Sequence, residues 1–140
     1  MALEIKTDCR GVDWLVVSET LKLVGMAYHA PELHQKAFEA SHITVFVYDG
    51  ARLIGFGRAI SDGAYQGAVY DVAILPEFQR KGIGTAIMKE ILEGLSFCNI
   101  LLYASPGKEE FYTALGFRKM LTGMALFTNA DLMQEKGFTL

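Results

Sequence analysis

Tyr70-Asp71-Val72-Ala73-Ile74-Leu75-Pro76-Glu77-Phe78-Gln79-Arg80-Lys81-Gly82-Ile83-Gly84-Thr85, continuing to Leu95, is the stretch whose reading decides the fold. Its first residues are an apolar, β-branched run of strand length. Pro76 cannot donate to a ladder and biases Leu75 away from helix, so the strand stops there. From Ile83 the apolar period changes. Ile83, Ile87, Ile91 and Leu95 fall four apart, with Gly84, Met88 and Leu92 one step round, which makes one stripe of an amphipathic helix. The stretch reads as strand, short turn and helix.

The start of that helix carries the chemistry. A helix opens with N–H groups that have no intrahelical partner, and its dipole places partial positive charge there. Gly82 and Gly84 have no side chains to hold a ligand away, and Arg80 and Lys81 add full charges just before them. The pattern describes an anion site for a phosphate or pyrophosphate. A P-loop is excluded, because no Gly-x-x-x-x-Gly-Lys followed by Ser or Thr occurs. A dinucleotide fingerprint is incomplete, because its third glycine would stand where Ile87 is.

Outward from this stretch the pattern continues in both directions. Residues 3–6 alternate as a short strand, and 14–26 and 31–40 read as helices, the second opened by Pro31. His29, Glu32, His34 and His42 around that second helix read as solvated polar positions rather than a metal set. Residues 43–48 and 51–60 form a hairpin about Asp49-Gly50. In the second of these strands Gly55 and Gly57 mark a bulge, a close backbone approach or plain packing against a neighbour. Ser61-Asp62-Gly63 turns the chain into the strand 68–74. After the central helix come a strand at 100–104, a brief helix at 109–115 with Gly116 at C′, and a closing strand or strands at 120–128. The tail 129–140 reads as a loose appendage or a partner contact.

These elements predict an α/β chain, a mixed twisted sheet with helices on both faces. The crossover from 70–74 to 100–104 through the helix is expected to be parallel and right-handed. The chain has 140 residues, 51% of them hydrophobic and 21% charged, which fits one globular domain over residues 1–140. A net charge of −3 argues against general affinity for nucleic acid or anionic membranes. The opening residues lack a signal-peptide pattern, no apolar run reaches spanning length, and Cys9 and Cys98 stand far apart without metal-like spacing. A reduced, cytoplasmic setting and no metal are the expectations.

Gln79-Arg80-Lys81-Gly82-Ile83-Gly84 resembles the Gln/Arg-x-x-Gly-x-Gly/Ala signature of the GNAT superfamily of N-acetyltransferases. Two neighbours strengthen the likeness. Residues 71–77 resemble that family's fourth strand and its exit, and Phe111-Tyr112-Thr113-Ala114-Leu115-Gly116-Phe117 resembles its FY-x-x-LGF helix. The resemblance implies the acyl-CoA N-acyltransferase fold, with its fourth and fifth strands splayed apart. It implies acetyl-CoA as acyl donor, its pyrophosphate held by Gln79, Arg80, Lys81, Gly82, Ile83, Gly84 and Thr85 and its pantetheine arm paired with Val72, Ala73 and Ile74. Gln79 either bonds the pyrophosphate or shapes the turn.

The resemblance also assigns roles in catalysis. Tyr112 stands at the family tyrosine that protonates the leaving sulfur, and a backbone N–H near Val72 is the oxyanion donor. Some members carry a glutamate at the position of Ala68 as base, which alanine cannot replace. Asp71 is the nearest acidic residue, acting through a water, orienting the amine, or serving as a structural acceptor or surface charge. Ser105 stands where many members have an asparagine touching the cofactor arm. The region 14–40 is implied as a wall of the acceptor pocket. The implied reaction is acetyl transfer to a small or protein primary amine by direct attack in a ternary complex. The other reading is a CoA-binding regulatory or interaction module without transfer activity. The run 120–127 is compatible with a homodimer contact, since family members often dimerise.

Overall fold

The computed structural model describes residues 2–140. They fall into two units, one running to Leu102 and the other from Tyr103 to Leu140. The first unit is built on a five-stranded sheet ordered β1-β2-β3-β4-β5. Its strands are β1 (Leu3–Lys6), β2 (Ile43–Asp49), β3 (Arg52–Ser61), β4 (Gln66–Ile74) and β5 (Asn99–Leu101). The first four are antiparallel neighbours, and β5 lies parallel to β4, as the intervening helix requires. The mixed sheet expected from the sequence is therefore present.

Helices cover both faces, and alternation along β3 shows how. Phe56 points to α1 (Trp14–Leu23) and α2 (Pro31–Glu39), where Val17, Leu21, Phe38, Phe46, Leu53 and Ala73 form one buried cluster. Burying each of the valine, leucine and phenylalanine side chains among them contributes roughly 1.5–3 kcal/mol. The next residue, Gly57, faces the other way, toward α3 (Ile83–Gly94). A Cβ there would stand 2.9 Å from Ile87 and 3.1 Å from Val72. The glycine is thus a close-approach position that lets α3 settle onto the sheet. Ile83, Ile87, Met88, Ile91 and Leu95 are all buried, which is the stripe read from their spacing.

Several boundaries differ from expectation. The first helix ends at Leu23, not 26, because Val24 caps it and Gly25 turns left-handed at φ 79°. The fifth strand is three residues long, since its ladder with β4 stops at Ala68↔Leu101. His34, expected among solvated positions, is buried at 3% exposure. It lies on the inward side of α2 together with Phe38.

The second unit contains α4 (Glu109–Ala114) and α5 (Ala130–Glu135). Residues 120–128 form no strand: they enter no ladder, and Leu121, Met124 and Leu126 are almost fully exposed. Apolar composition supplies strand propensity, but a strand exists only where a neighbour completes its hydrogen bonds. The tail is not a loose appendage. Asn129 caps α5 by accepting from Leu132 N–H at 3.1 Å, and Phe138 packs edge-on against Tyr103 at 5.8 Å. Among the described residues no helix is long and apolar enough to cross a membrane.

Candidate active site

The turn between β4 and α3 is shaped by backbone conformation. Pro76–Phe78 makes one 3-10 turn, after which Arg80 (φ 61°) and Gly82 (φ 82°) are left-handed with Lys81 between them not so. Such alternation turns successive N–H groups toward one side, the geometry of an anion nest. Gln79 shapes this turn directly: its Nε2 donates to the carbonyl of Ile74 at 2.9 Å, tying the loop to the end of the strand.

The helix that follows begins open. No side chain caps α3, whereas Asp13 caps α1 by accepting from Leu15 N–H. The first backbone bond of α3 runs from Ala86 N–H to Gly82 O at 3.0 Å, so the amides of Ile83, Gly84 and Thr85 lie ahead of any intrahelical partner. Gly82 is exposed, Gly84 half-buried, and a Cβ built on Gly82 would meet nothing within 4 Å. Arg80 and Lys81 are exposed, and the Lys81 ammonium lies 5.6 Å from the Phe78 ring. The residues present fit a pyrophosphate: uncapped amides, a positive dipole end, two cations and clear space above a glycine.

On β4 the strand carries a bulge. Phe56 pairs with Ala73 and Arg58 with Tyr70, so Gly57 opposes two residues, Asp71 and Val72. Asp71 is left-handed at φ 57°. Leu75 N–H bonds Ile54 O at 2.9 Å, and strand alternation directs the Ile74 N–H to the opposite edge. On that edge the ladder with β5 ends at Ala68↔Leu101, short of Val72, Ala73 and Ile74. An extended ligand arm could therefore pair with β4 over Val72, Ala73 and Ile74.

Asp71 is neither bare nor a simple surface charge. Its Oδ2 accepts from Arg58 Nε at 2.7 Å, with the two side chains 23% and 16% exposed. The guanidinium also donates to Ser41 Oγ at 3.3 Å and lies over the rings of Phe38 and Tyr70. Nearby, His34 Nε2 accepts from the backbone N–H of His29 at 2.8 Å, and Ser18 Oγ donates to His29 O. An imidazole that accepts at Nε2 holds its neutral-state proton on Nδ1. Burial pushes the His34 pKa down, with the Asp71 carboxylate pulling it up as a smaller influence. No group of three or more His, Cys, Asp or Glu among the described residues is placed to hold a metal.

Arg58 and His34 are the residues that sequence reasoning missed here. A signal existed for the first: Arg58 is a lone cation inside the run Leu53-Ile54-Gly55-Phe56-Gly57-Arg58-Ala59-Ile60, and a cation in a buried strand calls for a carboxylate partner. For His34 the signal was its position four before Phe38 on one helix face.

Tyr112 and Ser105 belong to the second unit. Tyr112 is half-buried on α4, its ring edge-on to Phe111 at 5.0 Å and to Phe117 at 5.9 Å. Burial pushes its phenol pKa above the ordinary tyrosine value. Its helix closes through Phe117 N–H donating to Tyr112 O at 3.1 Å, past Gly116 at φ 98°. Ser105 is half-buried, and its carbonyl accepts from Lys108 N–H in the turn before α4.

The chain is similar to known acetyltransferases in sequence and fold. Residues 13–125 match the family described as Acetyltransferase (GNAT) domain. The chain is 31% identical to serotonin N-acetyltransferase 2, chloroplastic, of Oryza sativa, over 94% of this chain and 70% of that protein. It is 41% identical to the uncharacterized N-acetyltransferase ycf52 of Gracilaria tenuistipitata, over 81% of this chain and 60% of that one. Among solved structures, a GNAT-family acetyltransferase from Streptococcus pneumoniae superposes with a TM-score of 0.76 at 27% identity, covering 91% of this chain and 98% of its own.

Proposed function

The chain belongs to the GNAT acetyltransferase family, and from that premise we propose that it transfers an acetyl group from acetyl-CoA to a primary amine. The observation that carries the reading is the uncapped start of α3 behind Arg80, Lys81 and Gly82. Acetyl-CoA supplies the activated thioester. The residues of this chain bind it, orient it and handle charge.

The amides of Ile83, Gly84 and Thr85, with Arg80 and Lys81, hold the diphosphate. Val72, Ala73 and Ile74 offer the free edge of β4 to the pantetheine arm. The Val72 N–H donates to the oxygen on which negative charge develops, and preorganised donors of this kind contribute roughly 3–4 kcal/mol to such steps. Tyr112 is the acid for the departing sulfur, since a phenol and a thiol have reference pKa values of about 10 and 8.5. Asp71 orients the amine through the oxygen that Arg58 leaves free. Attack is direct, within a ternary complex. Both cysteines are free thiols away from these residues in sequence, and burial raises the Cys9 pKa, which disfavours Cys9 as a thiolate nucleophile.

The acceptor is a small amine or a protein amine. A thiol-release assay across an amine panel, joined to mass spectrometry for co-purified CoA, tests the reading. Acetyl-CoA-dependent thiol release with an N-acetylated product supports it. CoA binding without turnover on any amine would replace it with a non-catalytic CoA-binding module.

A further inference from the structure

Arg58 does more than neutralise a neighbour. Its guanidinium has four contacts: Asp71 Oδ2 at 2.7 Å, Ser41 Oγ at 3.3 Å, and the faces of Phe38 at 5.7 Å and Tyr70 at 5.3 Å. Ser41 in turn donates to Ala37 O at 2.7 Å, so the cluster joins the C-terminal end of α2 to the bulge of β4. The group is 16% exposed, and no described buried polar side-chain atom is left without a partner. Opposite it, Asp71 sits at φ 57°, a left-handed conformation that Asp adopts more readily than most residues with a side chain but still at a cost, which its carboxylate's bond to Arg58 offsets.

Among the groups touching Asp71, the guanidinium is the one suited to enforcing that conformation. A planar guanidinium that donates through Nε to the carboxylate and through Nη1 to Ser41, and that lies over two rings, fixes direction as well as charge. We propose that Arg58 is the positioning residue of the transfer site: by holding the Asp71 carboxylate it sets the bulge, and through it the direction of the Val72 N–H. This rests on the acetyl-transfer reading for its catalytic consequence, but not for the geometry of the bulge. Arg58 acts through Asp71 and Val72 and touches neither phosphate nor sulfur.

Two variants separate the roles. Arg58→Lys keeps the charge and loses the fork and the stacking; Arg58→Met keeps the apolar length and loses the charge. The expected result is a fall in kcat of about tenfold for the first and about a hundredfold for the second. The KM for acetyl-CoA should rise by much less than kcat falls, because the diphosphate loop, which holds most of the cofactor's charge, is untouched. A second readout needs no turnover. Amide exchange at Asp71 and Val72 should accelerate at least tenfold in Arg58→Met while the amides of α3 keep their protection. Unchanged exchange at Asp71 and Val72 would overturn the proposal, as would equal losses in kcat and acetyl-CoA affinity. If the wild-type chain neither binds acetyl-CoA nor releases thiol, the acetyl-transfer reading fails by itself, and the exchange measurement still decides what Arg58 holds.

Discussion

The backbone N–H of His29 donates to Nε2 of His34 at 2.8 Å. This bond ties the loop between the first two helices to a histidine that is 3% exposed, and it exists only while Nε2 keeps its lone pair. Protonation therefore removes the bond and places a charge in a buried setting.

A pH dependence follows. Burial lowers the folded-state pKa of His34, so below about pH 6.5 the unfolded chain binds a proton that the folded chain resists. The contribution of His34 to stability is complete above that value. It is lost as pH falls toward the lowered folded pKa, then levels off. His34→Gln keeps an acceptor without a titrating proton. Wild type should lose roughly 3 °C more in Tm than this variant between pH 7.5 and pH 5, measured by thermal scans of both. Parallel losses would remove His34 from the account.

Gly57 tests how α3 is seated. A Cβ at this position would lie 2.9 Å from Ile87 and 3.1 Å from Val72, inside normal contact. Gly57→Ala should destabilise the first unit by about 1–3 kcal/mol, the usual cost of overpacking. Urea unfolding followed by circular dichroism measures it, and an unchanged midpoint would mean that α3 does not press on β3 here.

The legibility of the chain follows from which interactions are local. The β4–α3 turn could be read because its information is contiguous: a proline, two cations, two glycines and an apolar period of four. The hairpin about Asp49-Gly50 and the parallel β5 followed from turn and connection rules. Which carboxylate answers Arg58 could not be read, because Asp71 lies thirteen residues away on the neighbouring strand and meets it across a bulge. The exposed run 120–127 shows the opposite failure, where apolar composition mimics a strand that has no ladder to join. The tail misled because aromatic anchoring by Phe138 on Tyr103 leaves no periodic trace.

Tyr112 is assigned the acid's role, and Tyr112→Phe keeps its ring contacts with Phe111 and Phe117 while removing the proton. The rate should fall by about 10²–10⁴-fold with acetyl-CoA affinity unchanged. Because burial raises the phenol pKa, the wild-type alkaline limb should lie above about pH 10, the ordinary tyrosine value. Full turnover by the variant, seen as thiol release, would end this assignment.

Arg80 and Lys81 stand exposed before an uncapped helix. Replacing each by alanine should weaken acetyl-CoA binding about tenfold, the scale of one charge-assisted hydrogen bond. The effect should shrink as salt rises. Equal binding by wild type and both variants in a salt series would show that neither cation meets the ligand.

The central claim is that the opening amides of α3 grip a diphosphate attached to CoA. Its most direct test is calorimetric titration of the purified chain with acetyl-CoA, ATP and NAD in parallel, repeated with the Arg80→Ala, Lys81→Ala double variant. The account predicts one site for acetyl-CoA, weakened about a hundredfold in the double variant, and no comparable binding of the nucleotides. Heat with ATP or NAD alone, or no heat with any of the three, would contradict it.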